Sequence, residues 1–191
     1  KHEQKLIILP SRLGFIFKDG FSFSDGFKIK DGQFSQVDET WQQPWGSVKT
    51  IRNHYEEAII SLSSFSDPEN KMDLMIRAYD DGIALRYYVQ GLGENKEVVV
   101  QDELTEFNLA EDAQSWWIKA YQSNRYEQLY ESTKISAIDT VHTPLTMRFE
   151  DGIHVSIHEA ALTDYSSMQI AGGGKSTHLN CDLAPWSNGD K

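Results

Sequence analysis

Glu159 is the residue of this chain whose type and position most strongly call for chemistry. It lies in the stretch from Ile153 to Tyr165, IHVSIHEAALTDY. Asp151-Gly152 predicts a tight type I′ hairpin turn, after which Ile153, Val155 and Ile157 alternate with His154, Ser156 and His158 at period two. Glu159 falls on the apolar side of that alternation. An inward carboxylate must be paired, protonated or bound to a cation, because burying it alone is costly. The same pattern also admits a strand that ends at His158 and a Glu159 that turns into solvent. If a cation is held, calcium suits it: hard cations take roughly six to eight oxygen ligands, so one carboxylate needs others from elsewhere.

Other constellations are weaker. His154 and His158 have the spacing of a helical zinc pair, but four residues along a strand is roughly 13 Å, too far for both to reach one ion. Acid pairs at Glu56-Glu57, Asp80-Asp81, Asp102-Glu103 and Glu111-Asp112 are not glycosidase pairs, since strand neighbours point to opposite faces; turns and solvated faces explain them. Tryptophans at 41, 45, 116, 117 and 186 could stack on sugar C–H faces, although core and interdomain packing are the usual roles of such residues. Trp116 and Trp117 are adjacent, so one is expected to point in and the other out. Arg52, Asn53 and Tyr55 read as structural hydrogen-bonding residues.

These residues need a scaffold, and the sequence predicts strands almost throughout. β-rich runs occur at 5–8, 14–17, 54–62, 72–79, 83–89, 97–101, 116–120, 134–138, 145–149 and 153–158. Asp-Gly pairs at 19–20, 25–26, 31–32, 81–82 and 151–152 punctuate them as hairpins and tight loops. Gln122 to Tyr130 is the best of the few helix-period stretches, short enough to be a turn. The expected fold is an all-β antiparallel sandwich.

The length of 191 residues fits one domain, residues 1–191, and 39% hydrophobic residues suffice for a core. A formal charge of −11 repels nucleic acid and anionic membrane surfaces but not a neutral glycan or a divalent cation. No stretch approaches the ~18 apolar residues of a membrane span, and no signal peptide heads the chain, whose start at Lys1 fits a cleaved leader or a trimmed chain equally. The lone Cys181 excludes an intrachain disulfide and leaves the compartment open.

Four strings then occur in one order: PWGSVKTIRNHYEE from Pro44, RAYDDGIALRYYV from Arg77, HEAALTDYS from His158, and LAPW from Leu183. Together they resemble the amino-terminal domain of glycoside hydrolase family 97, the α-glucosidases and α-galactosidases of the starch-utilisation type. The resemblance spans roughly Leu13 to Trp186. It implies an antiparallel β-super-sandwich of the galactose-mutarotase type. In the family this precedes a catalytic (β/α)₈ barrel, which holds the catalytic carboxylates and is not matched by this chain. No residue here is therefore expected to be catalytic, and the isolated domain is expected to be inactive. The resemblance further implies that Glu159 is one ligand of a calcium site shared with the barrel. It also implies that Asn180, Cys181 and Asp182, just before the LAPW string, contact an α-linked oligosaccharide substrate. Read from the residues alone, those three could equally be a short strand with Cys181 packed as a small apolar side chain. An exported, periplasmic bacterial enzyme is implied. The competing reading is a free-standing carbohydrate-binding or mutarotase-like domain. Against a shared His158/Glu159 site of mutarotase type, adjacent strand residues face opposite ways unless the strand breaks.

Overall fold

The computed structural model describes residues 5–18, 22–24, 26–90, 98–124 and 126–186. In chain order these form β1 (Phe15–Phe17), β2 (Phe27–Gln42), β3 (Thr50–Ser64), β4 (Lys71–Ala78) and β5 (Ile83–Val89). Next come β6 (Val100–Glu103), β7 (Glu106–Asn108), β8 (Gln114–Trp117) and β9 (Glu131–Lys134), followed by a 3₁₀ turn at Ile135–Ala137. The last strands are β10 (Thr140–His142), β11 (Leu145–Arg148), β12 (His154–Ile157), β13 (Met168–Gly172) and β14 (His178–Leu183). Every strand pairing is antiparallel, so the expected all-β class holds.

The chain divides into two compact units. The first runs to Ser24 and resumes at Val98; it holds β1 paired with β6 and two four-stranded sheets, ordered β10-β13-β14-β7 and β12-β11-β8-β9. Alternation at period two sends Val141, Ile170 and Leu179 of one sheet, and Trp117, Leu145, Met147 and Ile157 of the other, into one core. Leu145 and Met147 are fully buried, and truncating either to alanine costs about 2 to 5 kcal/mol. Of the adjacent tryptophans, Trp117 is the buried one and satisfies its indole N–H on Thr133 Oγ1 at 2.9 Å; Trp116 is half-buried beside the Arg148 guanidinium.

The second unit, from Asp25 to Glu97, is the meander β2-β3-β4-β5. Its core face carries Leu62 opposite Met72, both buried. Arg52 holds Asp38 with two hydrogen bonds of 2.7 Å, and Asn53 donates to Glu39 at 2.8 Å. Arg77, the cross-strand partner of Glu57, donates to it at 2.7 Å and lies 4.4 Å from the ring centre of the buried Tyr55. The structural role read for Arg52, Asn53 and Tyr55 matches these contacts.

Several local expectations are corrected. The run 134–138 is not a strand but the end of β9 and the 3₁₀ turn. Asp31-Gly32 is not a hairpin turn: it lies inside β2, where the pairing register shifts between Ile29 and Asp31, and the added residue is absorbed as a bulge. The turn at Asp151-Gly152 is present but is not type I′, because only Gly152 has positive φ, at 90°. Gly152 N–H bonds the Phe149 carbonyl at 3.0 Å and Phe149 N–H bonds the Ile153 carbonyl at 2.9 Å, the three-residue hairpin with a glycine bulge. Residues 19, 20 and 25 of two further Asp-Gly pairs lie outside the described residues.

Candidate functional site

β12 carries Val155 and Ile157 toward the core and leaves His154 and Ser156 exposed, so the predicted phase of this strand is correct. The strand ends at Ile157, and Glu159 lies two residues beyond it, half-buried. Its Oε1 accepts the backbone N–H of Met168, the first residue of β13, at 2.9 Å. His158 Nδ1 donates to the Glu159 carbonyl at 2.9 Å. The loop between β12 and β13 is pinned again where the Tyr165 hydroxyl donates to Glu103 Oε2 at 2.7 Å. It is also tied to Ala184, which accepts from Ser166 Oγ and donates its N–H to the Ser167 carbonyl. Two strings far apart in sequence, HEAALTDYS and LAPW, are thereby fastened together.

Met168 pairs with Leu183 and Gln169 with Asp182, so Glu159 and Asp182 converge on one end of the β13-β14 ladder, whereas Asn180, opposite Ala171, lies toward the other end. β14 lies between β13 and β7, and its residues alternate. Leu179, Cys181 and Leu183 are buried, whereas His178, Asn180 and Asp182 are half-buried on the other face. Cys181 therefore points away from the two polar residues flanking it. Burial, reinforced by the carboxylates of Glu103, Asp182 and Asp102, pushes its thiol pKa up, which leaves it an inert apolar group. Asn180 Oδ1 lies 2.9 Å from His178 Nε2, and the same nitrogen lies 3.7 Å from Glu106. Asp182 Oδ2 accepts the Tyr121 hydroxyl at 2.8 Å; burial first, and then Asp182, push the Tyr121 phenol up.

Cross-strand pairing extends this polar face. His142, Gln169 and Asp182 are successive register partners across β10, β13 and β14. Tyr121, His142 and Gln169 were not singled out from the sequence, and no local motif marks them, because only the strand order brings them together. No group of three His, Cys, Asp or Glu side chains among the described residues is placed to hold a metal. A surface cavity of about 440 Å³ lies at the β11-β12 turn, lined in part by Arg148, Glu150 and Gly152, and includes none of the candidate residues. No helix among the described residues is long and apolar enough to cross a membrane.

Residues 1–186 match the family model described as glycosyl-hydrolase 97 N-terminal. A retaining α-galactosidase of Bacteroides thetaiotaomicron is 25% identical over 193 residues, covering 94% of this chain and 28% of that protein. Among solved structures, a glycoside hydrolase family 97 enzyme of Pseudoalteromonas sp. strain K8, in complex with panose and separately with acarbose, is similar at a TM-score of 0.91. It is 36% identical over 98% of this chain and 28% of its own. A β-arabinopyranosidase, 18% identical with a TM-score of 0.81 over 93% of this chain and 30% of its own, shares the fold. The chain thus spans under a third of the length of these relatives.

Proposed function

Because the chain belongs to the glycosyl-hydrolase 97 amino-terminal family, we propose that it is the non-catalytic amino-terminal domain of a calcium-dependent α-glucosidase or α-galactosidase. The observation that carries this reading is the match of residues 1–186 to an amino-terminal family model, beside relatives more than three times as long. In this reading the domain packs on a catalytic (β/α)₈ barrel formed by further polypeptide and closes one side of the pocket for an α-linked oligosaccharide. Panose and acarbose, held by the Pseudoalteromonas enzyme, are ligands of that kind. Export to the periplasm accompanies the reading.

Glu159 fits one calcium ligand. It is a half-buried carboxylate fixed at one oxygen by the Met168 N–H, on a segment anchored at Tyr165 and Ala184. A backbone hydrogen bond orients the carboxylate, a hard oxygen donor of the kind calcium takes. When bound there, calcium would supply positive charge and coordination sites beside a polyhydroxyl substrate. Asn180 and Asp182, on the half-buried polar face of β14, supply hydroxyl-recognising groups, whereas Cys181 acts by packing β14 onto the core.

The test uses the longer protein that carries this chain, assayed on aryl α-glucosides and α-galactosides while calcium is titrated. The isolated chain is expected to show no turnover, and Glu159→Gln in the longer protein is expected to require more calcium for the same rate. Turnover by the isolated chain at around 1 per second or more would defeat the accessory-domain reading. An identical calcium dependence in the variant would withdraw the metal role of Glu159.

A further inference from the structure

His142, Gln169 and Asp182 form a row across three strands, on the face of the sheet opposite Val141, Ile170 and the core. Gln169 is 3% exposed, and its buried amide oxygen has no hydrogen-bond partner among the described residues. His142 Nε2, its cross-strand neighbour on that face, is buried and equally without one. The Gln169 amide nitrogen reaches Ser167 Oγ at 3.3 Å, a long contact. What lies against His142 is the ring of Tyr126, 4.5 Å away between centroids and tilted by 44°. Tyr126 is 61% exposed, and at the other end of the row the Tyr121 hydroxyl sits on Asp182.

This arrangement is poorly balanced as a permanent structure. Each buried polar group without a partner carries an uncompensated desolvation cost. The Tyr126 ring on His142 is mostly exposed, so swinging it aside loses little burial and opens the imidazole end of the row. A hydroxyl is the smallest group that answers both: one oxygen accepts from a His142 Nε2–H and donates to the Gln169 carbonyl. A saccharide brings several such hydroxyls at once. We propose that the His142–Gln169–Asp182 row is a hydroxyl-recognition site for a saccharide, covered by a movable Tyr126. The inference rests on the saccharide-handling reading above and adds to Asp182 two recognising side chains, His142 and Gln169, and a cover, Tyr126. Water offers the same hydroxyl chemistry and is the competing source.

Imidazole ¹⁵N resonances of the 191-residue chain, followed during titration with panose, separate the two sources. The His142 signal is expected to shift saturably. Gln169→Met is expected to weaken panose binding about tenfold, the equivalent of one lost hydrogen-bonding interaction, while its melting temperature holds or rises because an unpaired buried amide is gone. Tyr126→Ala is expected to tighten binding severalfold; lying at an exposed position, it also tests the site should Gln169→Met fail to fold. A His142 signal that ignores panose, or a panose affinity unchanged in either variant, would overturn the proposal and leave water as the occupant. Hydrolysis by the longer protein is read separately, so the proposed function stands or falls on its own assay.

Discussion

The carboxylate of Glu159 accepts the backbone N–H of Met168, so the acid that opens the loop between β12 and β13 also closes it. This contact gives Glu159 a structural task independent of any cation. It separates two substitutions that a purely metal-binding role would not. Glu159→Gln keeps an oxygen acceptor for Met168 and is expected to change unfolding free energy by under about 1 kcal/mol, whereas Glu159→Ala strands a half-buried N–H and is expected to cost about 1 to 3 kcal/mol. Urea denaturation of the two variants checks this, and equal midpoints would show that the contact contributes nothing.

Arg77 ties two of the recognised strings together through Glu57 and the Tyr55 ring. Arg77→Ala is expected to destabilise by about 1 to 2 kcal/mol, combining a partly buried ion pair with a cation–π contact. Arg77→Lys is expected to restore only part of it, because an ammonium does not stack as a guanidinium does. A double-mutant cycle with Glu57→Gln measures the pair; a coupling of zero would place the stabilisation in the Tyr55 contact alone.

Alkaline pH should loosen the fold in a specific way. Cys181 and Tyr121 both have raised pKa values, chiefly because burial disfavours their anions. The unfolded chain begins to release the thiol proton near pH 8.5, about the ordinary thiol value, and the phenol proton near pH 10, while the native state keeps both. Stability from these groups is therefore complete below about pH 8.5 and declines as pH rises above it. The urea midpoint is expected to fall between pH 8 and 10.5, and Cys181→Ala is expected to remove the early part of that fall. The native thiol is also expected to resist a disulfide exchange reagent at pH 8 until denaturant is added.

Gly152 and Gly172 make a paired test of why glycine is needed. At Gly152 a Cβ would meet nothing within 4 Å, but φ is 90°, so Gly152→Ala is expected to cost about 1 kcal/mol from backbone strain alone. At Gly172 a Cβ would press into the carbonyl oxygen of Ile138, a backbone atom that cannot swing away. Gly172→Ala is expected to cost about 2 to 3 kcal/mol, and the two melting temperatures give the order. The reverse order would mean that β13 shifts freely against residue 138.

What the sequence determined by itself was what depends on local periodicity and turn chemistry. The alternation through Val155 and Ile157 placed β12 and its inward face correctly, because side chains on a strand can only alternate. The adjacency of Trp116 and Trp117 likewise required one to face out. Four strings in order also carried the family membership, since a resemblance of this kind needs no knowledge of which strands meet. The tertiary structure decided what depends on pairing between distant segments. Asp31-Gly32 reads as a turn in isolation, yet pairing with β3 holds it inside a sixteen-residue strand, because a ladder of backbone hydrogen bonds outweighs a local preference. Glu159 could have been buried or solvated on its pattern alone, and the N–H of Met168, nine residues on, fixed it half-buried. His142, Gln169 and Tyr121 carried no signal at all. They become neighbours of Asp182 only because β10, β13 and β14 lie side by side, with Tyr121 reaching the Asp182 carboxylate, an order set by which apolar faces must share one core.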